Sequence, residues 1–443
     1  MTETLQDNIN HDINSPSGPT EAYDINTTDD SFAYIAELLN EYGDIVRIKS
    51  KTRNSDTYLV NNPEYIKHIL LKNHQNYKKG VGFERVKMLL GNGIIVSDGP
   101  FWRKQRRLIQ PAFSKTMIEA QVEVIQKCNI ERMEKWSALL KTDSSAEIDI
   151  SYEASDLALE IVLRVLFSDD VDTLLEKSGE NPFAFLTEDP TRDVTVVLKY
   201  RALMGLLLKL IEARRTTTKK YNDFVSVFVE ARDKETGEGM TDKELLDEVM
   251  TMIVAGHETS AITLTWVWYF IAKHQNVDNA IQKELSTSGI SGAPGFNDLD
   301  KIPYIKQVTE EALRIYPPVW LYSRKAIEAD TFGKYSIPAG SDIFISPYYL
   351  HRNTEFWNQP EEYQPERFSA ESIKAQHKFS YIPFSAGPRR CIGDFFATVE
   401  MQIHVGLMVQ AFRFELLDEK TPELEASINM RAKDPIMLKI SKR

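Results

Sequence analysis

The cysteines are the residues of this chain best suited to metal or redox chemistry, and only one stands in a reactive setting. Cys391 belongs to the segment F-S-A-G-P-R-R-C-I-G, which spans residues 384–393. Glycines on both sides allow a tight turn that directs backbone N–H groups at the sulfur. A helix predicted directly after Cys391 would lower the thiol pKa with its positive end. Cys128 lies on an ordinary helical stretch and is predicted to be inert. These residue types are compatible with a thiolate ligand at Cys391, and an inert cysteine beside a basic turn is the alternative interpretation.

The segment around Cys391 meets all five fixed positions of the pattern F-x-x-G-x-R-x-C-x-G. On this motif the chain resembles the cytochrome P450 family. The resemblance implies that Cys391 binds the iron of haem b, iron protoporphyrin IX. It also implies further haem contacts from the same segment, including a ring that shields the sulfur and an arginine that pairs with a propionate. These residues are Phe384, Gly387, Arg389 and Gly393.

A second motif is a charged pair near the end of a predicted helix. Glu311 and Arg314 are three residues apart and so share one helix face. Alone, such a pair would indicate a solvated face of little energetic worth. The family has an E-x-x-R helix at this distance before the cysteine, joined by an arginine from a P-x-R-F loop, and residues 365–368 read P-E-R-F. The resemblance therefore implies that Glu311, Arg314 and Arg367 form a buried structural triad that holds the cysteine loop.

Two further segments resemble family positions that contact the haem propionates. Residues 102–106 read W-R-K-Q-R and match a W-x-x-x-R helix, whose spacing places Trp102 and Arg106 on one face. Arg324, ten residues after Arg314, matches another such position. For Arg324 alone, a charge on the surface of a strand is the alternative interpretation.

A long helix is predicted to begin at Thr241 and to end near His274. Thr241 and Glu244 have the capping-box spacing, and no proline interrupts the pattern that follows. Residues 250–265 are apolar or small nearly all round, which indicates burial. Within them, residues 255–260 read A-G-H-E-T-S, and glycine, histidine and glutamate are poor choices for a buried helix centre. Taken alone, a tight helix crossing with His257 and Glu258 facing outward explains this segment as well as a functional site does.

The family resemblance favours the functional interpretation of this segment. Ala255, Gly256, Glu258 and Thr259 match the family's acid–threonine motif for oxygen activation. In that motif small residues leave room for dioxygen, the threonine hydrogen-bonds to the activated oxygen and the acid relays protons through water. We therefore predict that Thr259 and Glu258 are catalytic and that Ala255 and Gly256 contact the cofactor. His257 is predicted to face outward and not to be a ligand.

The resemblance implies substrate contacts at apolar positions, for each of which simple core packing is an equal alternative. These positions are Ile94, Ile95, Val254, Ala255, Val319, Trp320 and Ile428. Arg53 and Tyr58 resemble the place where some fatty-acid hydroxylases bind a carboxylate. The local match is poor there, and solvated surface is the preferred interpretation.

The elements that must position these motifs are mostly helices. The expected fold is mainly α with minor β sheets, the triangular cytochrome P450 fold, with haem between the long helix and the cysteine loop. Residues 31–443 are expected to form one catalytic domain, and the polar residues 1–30 a flexible tail. The predicted local elements are a helix at 31–42, strands at 45–51 and 57–60, a helix at 63–72, an irregular stretch at 77–100 and strands within 335–347.

Overall composition limits the partners and the location of the protein. The net charge is −12 and the pI is near 5.3, without a basic tract, which argues against nucleic acid as a partner. No apolar run reaches the length of a membrane span, and the first residues lack a signal-peptide pattern. The sequence therefore predicts a soluble, cytoplasmic protein of the bacterial type.

The resemblance implies a monooxygenase that activates O₂ with two external electrons and inserts one oxygen atom into a C–H bond of a small apolar molecule. No flavin or iron–sulfur segment is present, so a ferredoxin or flavodoxin-type partner with its reductase is expected. Arg103, Lys104, Arg107 and Arg390 are predicted to form a positive docking patch, unless nearby carboxylates pair with them. Two alternatives are a haem-thiolate peroxygenase or isomerase, whose members usually lack the acid–threonine pair, and a non-catalytic helical or haem-binding protein.

Overall fold

Helices dominate the computed structural model, which describes residues 15–141, 143–173, 183 and 194–443. Numbered in chain order, the α-helices of these residues are α1 (Asp29–Tyr42), α2 (Pro63–Lys67), α3 (Phe83–Leu90), α4 (Gly99–Ile109), α5 (Lys115–Leu139), α6 (Ile150–Phe167), α7 (Val194–Thr216), α8 (Phe224–Glu230), α9 (Asp242–Lys273), α10 (Gln275–Ser288), α11 (Pro303–Ile315), α12 (Pro347–Leu350), α13 (Ser372–Ala375) and α14 (Asp394–Ala411). Short 3₁₀ segments lie between them, among them Pro365–Phe368 and Gly387–Arg389.

Strands form a smaller part of the same residues. They are β1 (Ile45–Ile48), β2 (Thr57–Val60), β3 (Tyr77–Lys79), β4 (Ser145–Asp149), β5 (Tyr322–Ala326), β6 (Asp330–Phe332), β7 (Tyr335–Ile337), β8 (Asp342–Ile345), β9 (Phe412–Leu416), β10 (Leu424–Ala426), β11 (Met430–Ala432) and β12 (Met437–Lys442). One sheet has the order β1-β2-β8-β5-β3, with β2 and β8 parallel and the other pairs antiparallel. A three-stranded sheet and two hairpins complete the strands. This composition confirms the predicted class, mainly α with minor β.

The long helix α9 lies at the centre of the core. Thr241 accepts the N–H of Glu244 while Glu244 accepts the N–H of Thr241, so the predicted capping box is present, and the helix ends before His274 as predicted. Buried tryptophans such as Trp266 and Trp268 anchor its second half. Its middle crosses α6 so closely that a Cβ on Gly256 would lie 3.0 Å from Val162 Cγ2. Burial of this helix on most sides is therefore confirmed.

One local prediction was wrong because long-range pairing decides the structure there. Residues 77–100, predicted to be irregular, contain β3 and α3, and β3 exists because it pairs with β5 far along the chain. The helix predicted at 63–72 is present, as α2 followed directly by a π-helix at His68–Lys72. The C=O of Leu70 in that π-helical turn contacts the cysteine loop, as described below.

Part of the predicted N-terminal tail belongs to the fold. The backbone of Ser17 accepts the N–H of Arg47 at 3.0 Å, and the N–H of Tyr23 donates to Lys49 C=O at 2.8 Å. Ile25 is only 2% exposed. A flexible tail of residues 1–30 is therefore wrong for residues 15–28, because apolar side chains and backbone groups there find partners beside β1. Residues 1–14 lie outside the described residues.

Candidate functional site

The cysteine loop is a tight turn closed by backbone contacts. The N–H of Cys391 donates to the C=O of Phe384 at 2.9 Å. Gly387 has φ +68°, and a Cβ there would lie 1.9 Å from the C=O oxygen of Leu70. Glycine is therefore required at this position by both conformation and space. Gly393 is the N-cap of α14, so the helix predicted after Cys391 is confirmed.

The Cys391 residue is exposed, although many protein atoms surround its thiol. Burial is the largest influence on its pKa and raises it, while the N–H of Gly393 donates to the sulfur and lowers it. The nearby Arg106 guanidinium lowers the pKa further. The predicted lowering by the start of α14 is thus present as the Gly393 contact, while desolvation of the thiol acts in the opposite direction and is larger.

Cys128 differs from Cys391 in its exposure. It is fully buried in the main core, and burial raises its pKa to about 12. A thiol held neutral inside an apolar core is inert, which agrees with the role expected for it.

The three predicted triad residues are brought together near the end of α11. Arg314 donates two bonds to Glu311, from Nε at 2.7 Å and from an Nη at 2.8 Å, and both side chains are 0% exposed. Arg367 Nε reaches Glu311 Oε1 at 3.3 Å. Arg314 also donates to the carbonyls of His351 and Pro360. Every strong donor of this buried guanidinium thus has an acceptor, which makes the pair a structural anchor.

Three cations with buried or half-buried side chains cluster at one side of the same loop. Arg389 donates to Asp98 and lies 4.0 Å from the ring centre of Trp102. Arg324 is only 5% exposed, so its interpretation as a surface charge is wrong. Lys79 pairs with Arg324 in the β3–β5 register. Burial and mutual repulsion lower the pKa of Lys79 and of Arg389, the latter to about 10.

These cations exceed the one carboxylate, Asp98, that faces them, and a ligand with two carboxylates would balance them. The residues present therefore fit the propionate end of a haem, with the thiol of Cys391 as the metal ligand. Lys79 was missed by the sequence analysis. Only the pairing of β3 with β5, which local pattern does not reveal, brings it beside Arg324.

Arg106 has a different neighbour from Trp102. One of its Nη atoms donates to the C=O of Arg390 at 3.1 Å, and its Nε donates to Gln110 at 2.8 Å. Trp102 instead lies against Arg389. Both residues of the predicted pair thus contact the cysteine loop, one at its backbone and the other at its arginine.

The middle of α9 presents two faces with different roles. Ala255, Glu258 and Thr259 are half-buried on one face, where Thr259 Oγ1 donates to the C=O of Ala255 at 2.7 Å. His257 is 4% exposed and lies 2.9 Å from Ser155 of α6, so the prediction that it faces outward is wrong. Burial lowers its pKa to about 4, and it stays neutral. Because Gly256 meets α6, the helix-crossing interpretation holds for Gly256 but not for the outward-facing His257 that it included.

A buried acid beside this segment was also missed. Glu400 of α14 is 1% exposed and accepts the hydroxyl of Ser260 at 3.0 Å, and burial raises its pKa to about 8. No feature of the local sequence around Val399 and Glu400 indicated that this acid would face α9.

Comparison with known proteins agrees with this arrangement. A family model described as Cytochrome P450 matches residues 21–440. The chain belongs to the cytochrome P450 family. It is therefore a P450 monooxygenase, and the cofactor of its family is a haem iron.

Three relatives illustrate the range of similar P450 proteins. Cyclooctatin synthase from Streptomyces melanosporofaciens is 32% identical, with 85% of this chain and 84% of the relative covered. Pentalenene oxygenase from Streptomyces avermitilis is 28% identical, with 85% of each chain covered. The chloroplastic carotene epsilon-monooxygenase from Arabidopsis thaliana is 28% identical, with 93% of this chain and 82% of the relative covered.

The predicted P450 pocket residues divide into two groups. Ile95, Val254 and Val319 are half-buried, Ile94 is 8% exposed, and Ile428 is 42% exposed. Trp320 is 0% exposed, packs against Phe32, and donates its indole N–H to the C=O of Ser427 at 2.8 Å. Trp320 is therefore a core residue that fixes the turn before Ile428, and its assignment as a substrate contact is wrong.

Neither residue of the fatty-acid-type pair is available for a carboxylate. Arg53 lies 3.2 Å from both Asp24 and Asp342, and Tyr58 is 1% exposed. The preferred interpretation as solvated surface is also wrong for Tyr58, because its side chain is buried. The ion pairs of Arg53 give it a structural role.

The predicted positive patch is mostly neutralised. Lys104 pairs with Glu238, Arg107 with Asp233 and Glu235, and Arg390 with Asp394. Among the described residues Arg103 has no such carboxylate partner. Three of the four cations are therefore paired with nearby carboxylates, which was the alternative to a positive docking patch.

Within the described ranges of the chain, no helix combines the length and the apolar content that a membrane span needs.

Proposed function

We propose that this P450 inserts one oxygen atom from O₂ into a C–H bond of a small apolar isoprenoid, with haem b as cofactor and Cys391 as its thiolate ligand. The carrying observation is the accessible sulfur of Cys391, fixed by the Gly387–Leu70 contact beside a cluster of buried cations. This cofactor requires a thiolate ligand for its iron and cations that bind the two propionate carboxylates at one edge of its ring.

Different residues would hold different parts of the cofactor. Arg324, Arg389 and Lys79 bind the propionates, and Trp102 supports Arg389 from the side. Phe384 and the glycines shape the turn around the sulfur. When bound, the haem supplies the activation of O₂, and the protein supplies orientation and protons.

Thr259 and Glu258 of α9 transfer protons on the side of the pocket opposite the cysteine loop. Ala255 leaves space beside them. The Thr259 hydroxyl donates to Ala255 C=O at rest and is free to turn toward a different acceptor in the pocket. Glu258 is half-buried one residue away, on the same face of α9. This pair passes protons inward while the apolar wall excludes bulk water.

The substrate class follows from the pocket and from the relatives. Ile94, Ile95, Val254 and Val319 carry no polar side-chain atoms, and Ile428 adds an apolar residue at the rim. Pentalenene and carotene, named in two relatives, are isoprenoid hydrocarbons. An apolar wall discriminates by shape and buried area, which suits such molecules.

Electrons are proposed to come from a ferredoxin or flavodoxin-type protein with its reductase. Because three of the four predicted cations are already paired, Arg103 alone contributes unpaired charge among them. Electrostatic attraction of an acidic electron-donor protein by these four residues is therefore weak. The rate of reduction should depend only slightly on salt concentration. The cytoplasmic location and the single catalytic domain of residues 31–443 stay predictions.

A haem-thiolate peroxygenase or isomerase would use the same site without a reductase. Glu258 and Thr259 on the accessible face of α9 favour the monooxygenase, because those relatives usually lack the pair. The deciding experiment begins with the reduced, CO-bound spectrum, in which a red-shifted Soret band indicates thiolate ligation. Isoprenoid hydrocarbons that shift the ferric Soret band are then incubated with a ferredoxin system or with hydrogen peroxide alone. Product with the ferredoxin system supports the proposal, and product with peroxide alone favours the alternative.

A further inference from the structure

Two neighbouring carboxyl groups of α9 bind the loop that follows α3. Asp247 Oδ2 accepts the N–H of Asn92 at 2.9 Å, and Glu248 Oε2 accepts the N–H of Ile94 at 3.1 Å. The two acidic residues are 4% and 1% exposed. Residues 91–98 form no helix or strand themselves, so these carboxyls are the main acceptors for the backbone at this end of the loop.

Glycines allow the loop to approach α9 at this point. Gly91 has φ +65°, and a Cβ there would lie 2.1 Å from Asp247 Oδ1. A Cβ on Gly93 would lie 2.1 Å from Thr251 Oγ1 and 2.8 Å from the C=O oxygen of Asp247. The two glycines of the sequence G-N-G, residues 91–93, thus let the loop lie directly against the consecutive acidic residues Asp247 and Glu248.

The other end of the loop is fixed to the cysteine loop. Arg389 donates to the C=O of Ser97 at 2.7 Å and pairs with Asp98. The N–H of Lys79 also donates to Asp98, at 3.0 Å. Residues 91–98 therefore connect the two elements between which the haem is proposed to lie, and Ile94 and Ile95 occupy the middle of the connection.

We propose that Asp247 and Glu248 are positioning residues that set the distance of Ile94 and Ile95 from the reacting face of α9 and thereby the width of the substrate pocket. This inference rests on the function proposed above. It assigns a substrate-directed role to two acids that contact neither substrate nor cofactor themselves.

The electrostatics of the pair agree with a permanent clamp. Burial raises the pKa of Glu248 to about 8, with the charge of Asp247 as a smaller contribution in the same direction. Glu248 is therefore neutral near pH 7, and two adjacent buried charges are avoided. Asp247 is accompanied by Lys243, whose Nζ lies 3.4 Å from its carboxylate.

Two azoles that bind haem iron test the clamp without knowledge of the substrate. Imidazole probes the iron alone, whereas 4-phenylimidazole also needs packing against the pocket wall. In Glu248→Met the N–H of Ile94 loses its acceptor and the wall moves. The dissociation constant of 4-phenylimidazole, measured by the Soret shift, should rise about tenfold, while that of imidazole changes less than about twofold.

Matched variants separate positioning from general damage. Glu248→Gln keeps an oxygen acceptor for Ile94 and should restore wild-type binding of both azoles. Thr251→Val changes a buried side chain beside Gly93 whose hydroxyl has no hydrogen-bond partner within the described part of the chain, and it should bind both azoles normally. Gly93→Ala leaves both acids intact but pushes the loop away, and it should reproduce the loss seen in Glu248→Met. Hydrogen exchange of residues 91–96 should rise in the two damaging variants.

The outcomes distinguish this inference from the proposed function. Unchanged discrimination between the azoles in Glu248→Met and Gly93→Ala, with the red-shifted CO band retained, would overturn the clamp alone. Loss of haem from both variants would place the pair among residues needed for folding and would also overturn it. Absence of the red-shifted band from the wild type would instead remove the function on which the inference rests.

Discussion

The hydroxyl of Ser260 on α9 donates to the carboxyl of Glu400 on α14 at 3.0 Å, and both residues are buried. The two helices flank the proposed haem site, so this bond joins the oxygen side of the pocket to the thiolate side. Glu400 is held in its neutral form at pH 7, because burial raises its pKa to about 8. The bond is therefore one between two neutral groups inside the core.

This raised pKa makes stability depend on pH. In the unfolded chain Glu400 ionises near its ordinary pKa, whereas in the folded protein it keeps its proton until about pH 8. Its stabilising contribution is thus complete below about pH 4.5 and declines by about 1.4 kcal/mol per pH unit as the pH rises toward 8. Glu400→Gln should remove this decline, so the variant should gain stability relative to wild type between pH 5 and pH 8. Urea unfolding at several pH values measures it, and Glu119→Gln at an exposed position is the control. A stability difference that stays constant with pH would contradict the assignment.

Cys391→Ala should give a protein without thiolate ligation, because the second cysteine lies in the core. The red-shifted Soret band of the reduced, CO-bound form should vanish in this variant and persist in Cys128→Ala. The opposite result would mean that the ligand was assigned to the wrong cysteine.

Arg314→Ala should prevent stable haem incorporation. The change leaves Glu311 buried without its main partner and removes the donor to three backbone carbonyls, those of His351, Pro360 and Glu362. The expected cost is about 3–5 kcal/mol, a large part of the total stability of a typical domain. Arg431→Ala, which breaks a half-exposed pair with Glu425, should cost less than about 1 kcal/mol. Haem content and the unfolding midpoint are the measurements, and wild-type values for Arg314→Ala would show that the triad is not needed.

Thr259→Ala should uncouple reductant use from product formation. Without its hydroxyl the pocket loses a hydrogen-bonding partner for the oxygen being protonated, so more reductant should appear as hydrogen peroxide. Thr265→Ala, which removes a similar bond to Ala261 on the same helix, should leave the ratio of product to reductant unchanged. Equal ratios in all three proteins would remove Thr259 from the reaction.

Local sequence signals predicted the elements that depend on few neighbouring residues. The capping box at Thr241, the proline at the start of α2 and the helix after Cys391 each act within one turn, so the corresponding boundaries were correct. Strand β2 was predicted with its observed limits, Thr57–Val60. Such signals survive folding because the partners are already adjacent in the chain.

The errors arose where the partner is distant in sequence. Lys79 joins the cation cluster only because β3 pairs with β5, and Trp320 is removed from the pocket by its bond to Ser427. Lys104 and Arg107 are neutralised by the turn that contains Asp233 and Glu238. None of these relationships has a period or a spacing that a single sequence displays. Motif residues could be named in advance, whereas their neighbours required the three-dimensional arrangement.

The backbone bonds of Ser17 and Tyr23 beside β1 also bear on self-association. β1 is an outer strand of the five-stranded sheet, and an uncovered outer strand is a template for pairing with another molecule. Residues 15–28 occupy this side, and Asp29 ties the end of the segment to Ala426 through a bond of 2.8 Å. A chain shortened to begin at Ser31 would keep every motif named above, yet it would expose this strand and should aggregate during purification.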